Sequence, residues 1–495
     1  MKKRIFLGLA LLVLFFGCGG SNKECVSTGQ TLFNQAQALD RSGAYISANV
    51  LYKQARVVLL SENNPGLADQ CRLASHRVEL ILTDYNTKED AVKTELRRLW
   101  PNLTESKMNW LLERIDHLNI EGVNYYWSGY VNTAANLDLE LMAEFPAMIT
   151  GYNKFWSGVA PFVFGPPQTS GSPYRNPINY VGGLTAEVPR DKMPGSGTLQ
   201  IWMPLPVNTD CQTNAILNSS SPAQYIKEHS QGEIGIIYAE VQLPQLSGNL
   251  RLSYDFSFTH FEQRFTMIDP DNVGSYDTNS ELYKKYTASG RNIAITPAIT
   301  AKARELVGVE TNPYKQARKV YDYIVHDLTY STTPHGALAA LGIPESAYVH
   351  EHRFGDCGAQ SMYFAALLRS LGVPARATGG WQLVPGLAGD HFWAEFYLPN
   401  YGWVPVDTSI AQIGLAPLGH TPAEMQTYVD YFFGSQDPYR WVIQKDVDVP
   451  FTPRPVEQPV FDMALQEPIM VLPTMEEIPE VTLGAYFHTT VTPAP

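Results

Sequence analysis

The segment from Gly355 to Asp407 constrains this chain most, because it sets a cysteine, a histidine and an aspartate, in that order, on stretches of different periodicity. Cys357 follows Gly355-Asp356 and opens a run in which Met362, Tyr363, Ala366 and Leu367 recur at helical spacing, until Gly372 and Pro374 stop it. Asp356 stands where an N-cap belongs, which places Cys357 in the first helical turn. Unpaired backbone N–H groups and the helix dipole favour a thiolate there, lowering the thiol's pKa, and the same N–H groups can receive an oxyanion. His391 lies in Asp390–Tyr397, which alternates as a strand: His391, Trp393, Glu395 and Tyr397 on one face, Phe392, Ala394 and Phe396 on the other. Pro399-Asn400-Tyr401-Gly402 reads as a turn, and Trp403–Asp407 as a second strand with Pro405 marking an edge. The hairpin brings Asp407 opposite His391, where it can accept the second ring N–H and fix the tautomer.

Each residue also has an ordinary reading. A lone cysteine is most often a small buried side chain. A histidine beside an aromatic strand is commonly half-buried and satisfied, and Asp407 has the position to cap Thr408-Ser409. The order and spacing of all three together are far more specific than any one of them.

These residues resemble the core of the transglutaminase-like superfamily, papain-related cysteine enzymes of permuted topology. The resemblance is carried by Gly355-Asp356-Cys357, by Phe364–Arg376, by Asp390–Glu395 and by Gly402–Asp407, and spans roughly Asn292 to Pro450. It implies that Cys357 is the nucleophile, His391 the general base and acid, and Asp407 the orienting carboxylate. The implied reaction is acyl transfer through a thioester on an amide or peptide. In that family an upstream aromatic or amide side chain often helps the oxyanion; Tyr330 is the candidate here, beside the backbone N–H of Cys357.

A hydrophobic share of 44% with 17% charged residues fits a globular chain, and a net charge of −13 argues against nucleic acid as a partner. Met1-Lys2-Lys3-Arg4 followed by apolar Ile5–Phe16 reads as an export signal too short to span a bilayer. Ending at Phe15-Phe16-Gly17-Cys18, it resembles a bacterial lipoprotein signal, with Phe15 where Leu is usual. That resemblance makes Cys18 the lipidated residue and anchors the protein to the cell envelope, at the outer membrane facing the periplasm. Five cysteines, less Cys18 and Cys357, leave Cys25, Cys71 and Cys211. Cys25 and Cys71 flank a predicted helical hairpin and are candidates for a disulfide.

The expected fold class is α+β. Residues 1–18 form the signal and 19–160 a helical region whose first helical pair is similar to a tetratricopeptide-like hairpin. That region includes an aromatic cluster, Tyr125, Tyr126, Trp127 and Tyr130, assigned to a helical core. Gly165–Gly197 reads as a linker or long loop at the start of a β-sandwich-like domain, 165–275, in which Leu250–Phe258 alternates cleanly. The transglutaminase-like core occupies 280–450 and a Pro-rich extension 451–495.

No cofactor is expected. His350, His352 and Cys357 lie close together, but there is neither a CxxC nor an HExxH pattern for zinc, nor a calcium loop of the DxDxDG type. The functional expectation is an exported, lipid-anchored cysteine amidase, protease or acyltransferase acting on proteins or peptides. The alternative is a non-catalytic envelope interaction protein that retains the fold.

Overall fold

The computed structural model describes residues 28–167, 171–455, 463–472 and 484–495. Cys18 and Cys25 lie outside the described residues. The chain divides between Val78 and Glu79 into two compact units.

The first unit is built on helices Thr28–Arg41 and Tyr45–Ser61 and the opening turns of Pro65–Asp84. Gly43, at φ +80°, lets the chain reverse between the first two. Phe33, Ala36, Ala48, Tyr52, Ala55 and Leu59 are buried between them. Asp40 holds the pair to the third helix by accepting from Tyr52 Oη at 2.9 Å and from Arg77. Cys71 is fully buried and its thiol is free; burial pushes that thiol up to about 11.

The second unit opens with helices and a small antiparallel sheet whose central strand is Val123–Trp127, flanked by Tyr85–Lys88 and His117–Ile120. The aromatic cluster therefore does not form a helix: Tyr125, Tyr126 and Trp127 belong to this strand, and only Tyr130 starts a helix, Tyr130–Leu137. The cause is local. Glu121 and Gly122 both adopt positive φ, 54° and 81°, and make the two-residue turn that pairs Ile120 with Val123. Helices Leu139–Ala143 and Pro146–Val163 follow.

Two sheets then enclose one apolar core. One is built on the long pair Tyr174–Val188 and Leu250–Arg264, with Gln212–Ser221 joining the second; the other runs Ile469–Val471, Thr198–Pro204, Gly235–Gln242, Ile226–Gln231. Leu184, Leu252, Phe256, Ile201 and Ile237 interleave between them. The segment expected as a linker or long loop thus contains the 15-residue strand Tyr174–Val188. Its glycines belong there for packing: a Cβ on Gly182 would meet the Phe256 ring at 2.6 Å, and one on Gly183 the Tyr254 carbonyl at 2.7 Å. The Pro-rich extension supplies two edge strands, Ile469–Val471 on Thr198–Pro204 and Phe487–Pro493 on Tyr174–Val188.

The remaining layer pairs a four-stranded antiparallel sheet with helices. Its strand order is Gly402–Val406, Gly389–Leu398, Ala375–Gln382, Arg440–Gln444. Helix Cys357–Ser370 packs on it, with Gly358 through Arg369 all buried. A helix apolar on every side must be enclosed, and here Phe392, Ala394 and Phe396 of the sheet cover one side, while Ala303, Val320 and Ile324 of helices Pro297–Val307 and Pro313–Asp327 cover another. Two buried ion pairs pin the layer, Arg369 to Asp446 at 2.7 Å and Arg376 to Glu395 at 2.5 Å.

Candidate active site

Asp356 caps the central helix: its Oδ1 accepts from Ala359 N at 3.0 Å, and Cys357 stands at the first helical position, half-buried. Arg353, at φ +61°, ends helix Glu345–His352 and turns the chain into Phe354–Gly355, which pairs in parallel with Thr329–Tyr330. The register sets Tyr330 beside Gly355, two residues before the nucleophile candidate.

His391 is 4% exposed and Asp407 1%. The ladder between their strands ends at Ala394 opposite Val406, and Asp407 leaves it to cap helix Thr408–Ile413. Its two oxygens divide the work. Oδ1 accepts from Ile410 N at 3.1 Å, and Oδ2 accepts from His391 Nε2 at 2.8 Å. Capping and orienting are therefore not rival roles for this side chain. With Nε2 committed to the carboxylate, Nδ1 is the nitrogen left for proton exchange.

Cys357, His391 and Tyr330 line one cavity of about 450 Å³. Leu139, Met142 and Phe155 from the preceding helices form an apolar part of its wall, and Gln382 and Asp390 line it as well. The backbone N–H groups of Phe392 and Gly358 point at the Cys357 sulfur and pull its pKa down, as the helix-start position predicts. Burial outweighs them, reinforced by the Asp356 carboxylate, and the thiol is pushed up rather than down. The lowered thiol expected from the sequence is corrected accordingly. His391 is the imidazole lining the same cavity. Burial also raises Tyr330, with the Cys357 and Asp356 charges adding to it, so its hydroxyl stays protonated and able to donate.

Three groups that the sequence did not single out complete the site. Arg440, fully buried on the sheet's last strand, donates from Nη1 to Asp407 Oδ2 at 2.8 Å and from Nη2 to Asp437 Oδ2 at 2.7 Å. Burial alone would raise Asp407; His391 and Arg440 overcome it and hold the carboxyl at about 2. On the cysteine side, His335 bridges Asp356 and Glu345, each at 2.8 Å. Desolvation opposes a charge on His335, but the two carboxylates prevail and hold its pKa well above 6.5. Behind the histidine strand, Gln466 Nε2 donates to the His391 carbonyl at 3.0 Å and to the Gly380 carbonyl at 2.7 Å. The available signal was the pair Asp437 and Arg440 inside an otherwise apolar and aromatic stretch. The histidines weighed as zinc ligands are engaged elsewhere: His350 Nδ1 lies 2.9 Å from Tyr363 Oη, and His352 packs on Tyr348.

A cysteine at a helix start and a histidine on an antiparallel hairpin thus line one cavity. Residues 300–408 match the sequence model of the transglutaminase-like superfamily, so the chain carries a transglutaminase-like core. A Haemophilus influenzae protein described as uncharacterized is 24% identical over 279 residues, 50% of this chain and 73% of its own length. Among solved structures, a proposed cysteine protease of Cytophaga hutchinsonii shares 14% identity, with a TM-score of 0.41 over 65% of this chain and 92% of its own. The periplasmic domain of TgpA from Pseudomonas aeruginosa, bound to ethylmercury, shares 15% identity, with a TM-score of 0.24 over 52% of this chain and 93% of its own.

Proposed function

We propose that this protein is a cysteine enzyme that cleaves or transfers the acyl group of an amide or peptide bond. The carrying observation is that one cavity holds Cys357 at a helix start together with His391, whose Nε2 is bound to Asp407. His391 Nδ1 takes the thiol proton as sulfur attacks the carbonyl carbon. The carbonyl electron pair moves to oxygen, which the Cys357 backbone N–H and the Tyr330 hydroxyl are placed to receive. The imidazolium protonates the leaving nitrogen, the C–N bond breaks and a thioester remains. Water or an amine, deprotonated by His391, then attacks the thioester and frees the thiol. Protein or peptide is the proposed substrate. Lipidation at Cys18 and an outer-membrane location facing the periplasm are proposed from the leader.

The test is thioester capture. Purified protein is incubated with peptide amides and hydroxylamine, and hydroxamates are read by mass spectrometry. Wild type forms them and Cys357→Ala does not. Absence of hydroxamate in wild type, together with a Cys357 as inert to iodoacetamide as buried Cys71 and Cys211, would sink the reading. Incorporation of labelled fatty acid in cells, lost in Cys18→Ala, tests the anchor.

A further inference from the structure

The Asp407 carboxylate does not face His391 alone. Its Oδ2 accepts from His391 and from Arg440 at the same distance, 2.8 Å, and Arg440 passes on to Asp437 at 2.7 Å. Arg440 and Asp437 are each 0% exposed, so solvent screens none of this. A guanidinium on Asp407 taken alone would work against the site, because it neutralises the charge that must stabilise an imidazolium. Asp437 restores the balance. With the imidazole neutral, the row of four side chains carries one negative charge; once the imidazole takes the thiol proton, it carries none.

We propose that Arg440 and Asp437 are positioning residues that act through Asp407: Arg440 fixes the carboxylate, and Asp437 cancels the guanidinium, so that His391 can become cationic in a buried site. This rests on the reading of Cys357 and His391 given above. A buried ion is tolerated when it is paired and hydrogen-bonded, and the proton taken up by His391 pairs the one negative charge this row carries at rest.

Other titratable groups face this row. Tyr180, Tyr321, Tyr330, Tyr428, Tyr431 and Tyr439 are all raised by burial and remain neutral. Buried His260 is pushed down to about 3 by desolvation and by Arg440, and is neutral too. Cys357 is the proton donor itself. At the cavity mouth, desolvation raises Asp390 to about 6 and Glu467 to about 7, the Asp390 carboxyl adding to the latter. These two titrate near neutrality, so the profiles below are taken in an Asp390→Asn, Glu467→Gln background.

The experiment is the pH dependence of Cys357 alkylation by iodoacetamide in the full chain. In Asp437→Asn a protonated His391 leaves one uncompensated positive charge. The midpoint is expected to rise by about one pH unit, with about a tenfold slower rate at neutral pH. In the double variant Asp437→Asn, Arg440→Gln, the charge balance of wild type returns, and the midpoint is expected within about 0.3 unit of it. Slower alkylation with an unmoved midpoint in Asp437→Asn, or additive losses in the double variant, overturns the proposal. If Asp437→Asn alone does not fold, the double variant still decides, since a midpoint displaced by about a full unit refutes charge balance. His391→Ala separates the two readings. An unchanged profile there overturns the base assignment and this proposal with it; a changed profile with no shift in Asp437→Asn overturns this proposal alone.

Discussion

The two sides of the cavity solve one problem in opposite ways. Each must keep ionised groups beside Cys357 or His391 with little or no help from water. On the cysteine side a cation sits between anions: His335 is held by Glu345 and Asp356, and Asp356 caps the helix that Cys357 opens. On the histidine side an anion sits between a base and a cation: Asp407 is held by His391 and Arg440. The cysteine side therefore depends on a group that loses charge in alkali, and the histidine side on one that loses charge in acid. Charge in this site is anchored by a residue one step removed from the chemistry on each side.

The largest effect expected from breaking this contrast is on the histidine side. Asp407→Ala strips Arg440 and His391 of their shared acceptor in a fully buried setting. It should cost about 3–5 kcal/mol in urea unfolding, because one substitution takes the acceptor from two buried donors, one of them charged. His335→Ala should cost less, about 1–3 kcal/mol by the same measurement, because the His335 side chain is 30% exposed and water can partly replace it.

pH sharpens the contrast. Asp407 lies below its ordinary 3.8, at about 2. Its contribution is present above pH 3.8 and is lost as pH falls through about 2, a loss of about 2 kcal/mol. His335 lies above its ordinary value, so its contribution is full below 6.5 and disappears as pH rises through its raised pKa. Unfolding midpoints measured against pH should show the acid loss abolished in Asp407→Asn and the alkaline loss abolished in His335→Gln. One shared pH dependence in both variants would refute the division into sides.

Gln466→Ala removes two hydrogen bonds to strand carbonyls and should cost about 1–2 kcal/mol, with the His391 amide exchanging faster in hydrogen–deuterium exchange. The smallest effect is at the mouth. Asp390 and Glu467 are raised from 3.8 and 4.5, so their contribution is full below pH 3.8 and is lost as pH rises through about 6 and about 7. Asp390→Asn should raise stability slightly above pH 7, and unfolding midpoints at pH 5 and 8 check it.

The sequence revealed Cys357, His391 and Asp407 because each sits on its own element of clear period or turn. The cap at Asp356 is local chemistry within three residues and was equally legible. Arg440 was not, because its strand lies at the opposite edge of the sheet, three places away from the strand that leads into Asp407. No local period reports a meeting between residues 33 positions apart. His335 was hidden the same way, in a Pro-His-Gly stretch that reads as loop. The Tyr125–Trp127 strand was missed because Glu121-Gly122 makes a turn more often signalled by Asn-Gly or Asp-Gly. The strand within the expected linker was missed because glycine and asparagine there serve close packing.

The stitch made by Gln466 has a consequence for biogenesis. A ribosome delivers Cys357 first, His391 thirty-four residues later and Gln466 seventy-five residues after that. Until that last delivery, the backbone beneath the base lacks its tie. A nascent chain emerging in order thus presents the Cys357 sulfur well before the strand that carries His391 is tied down by Gln466.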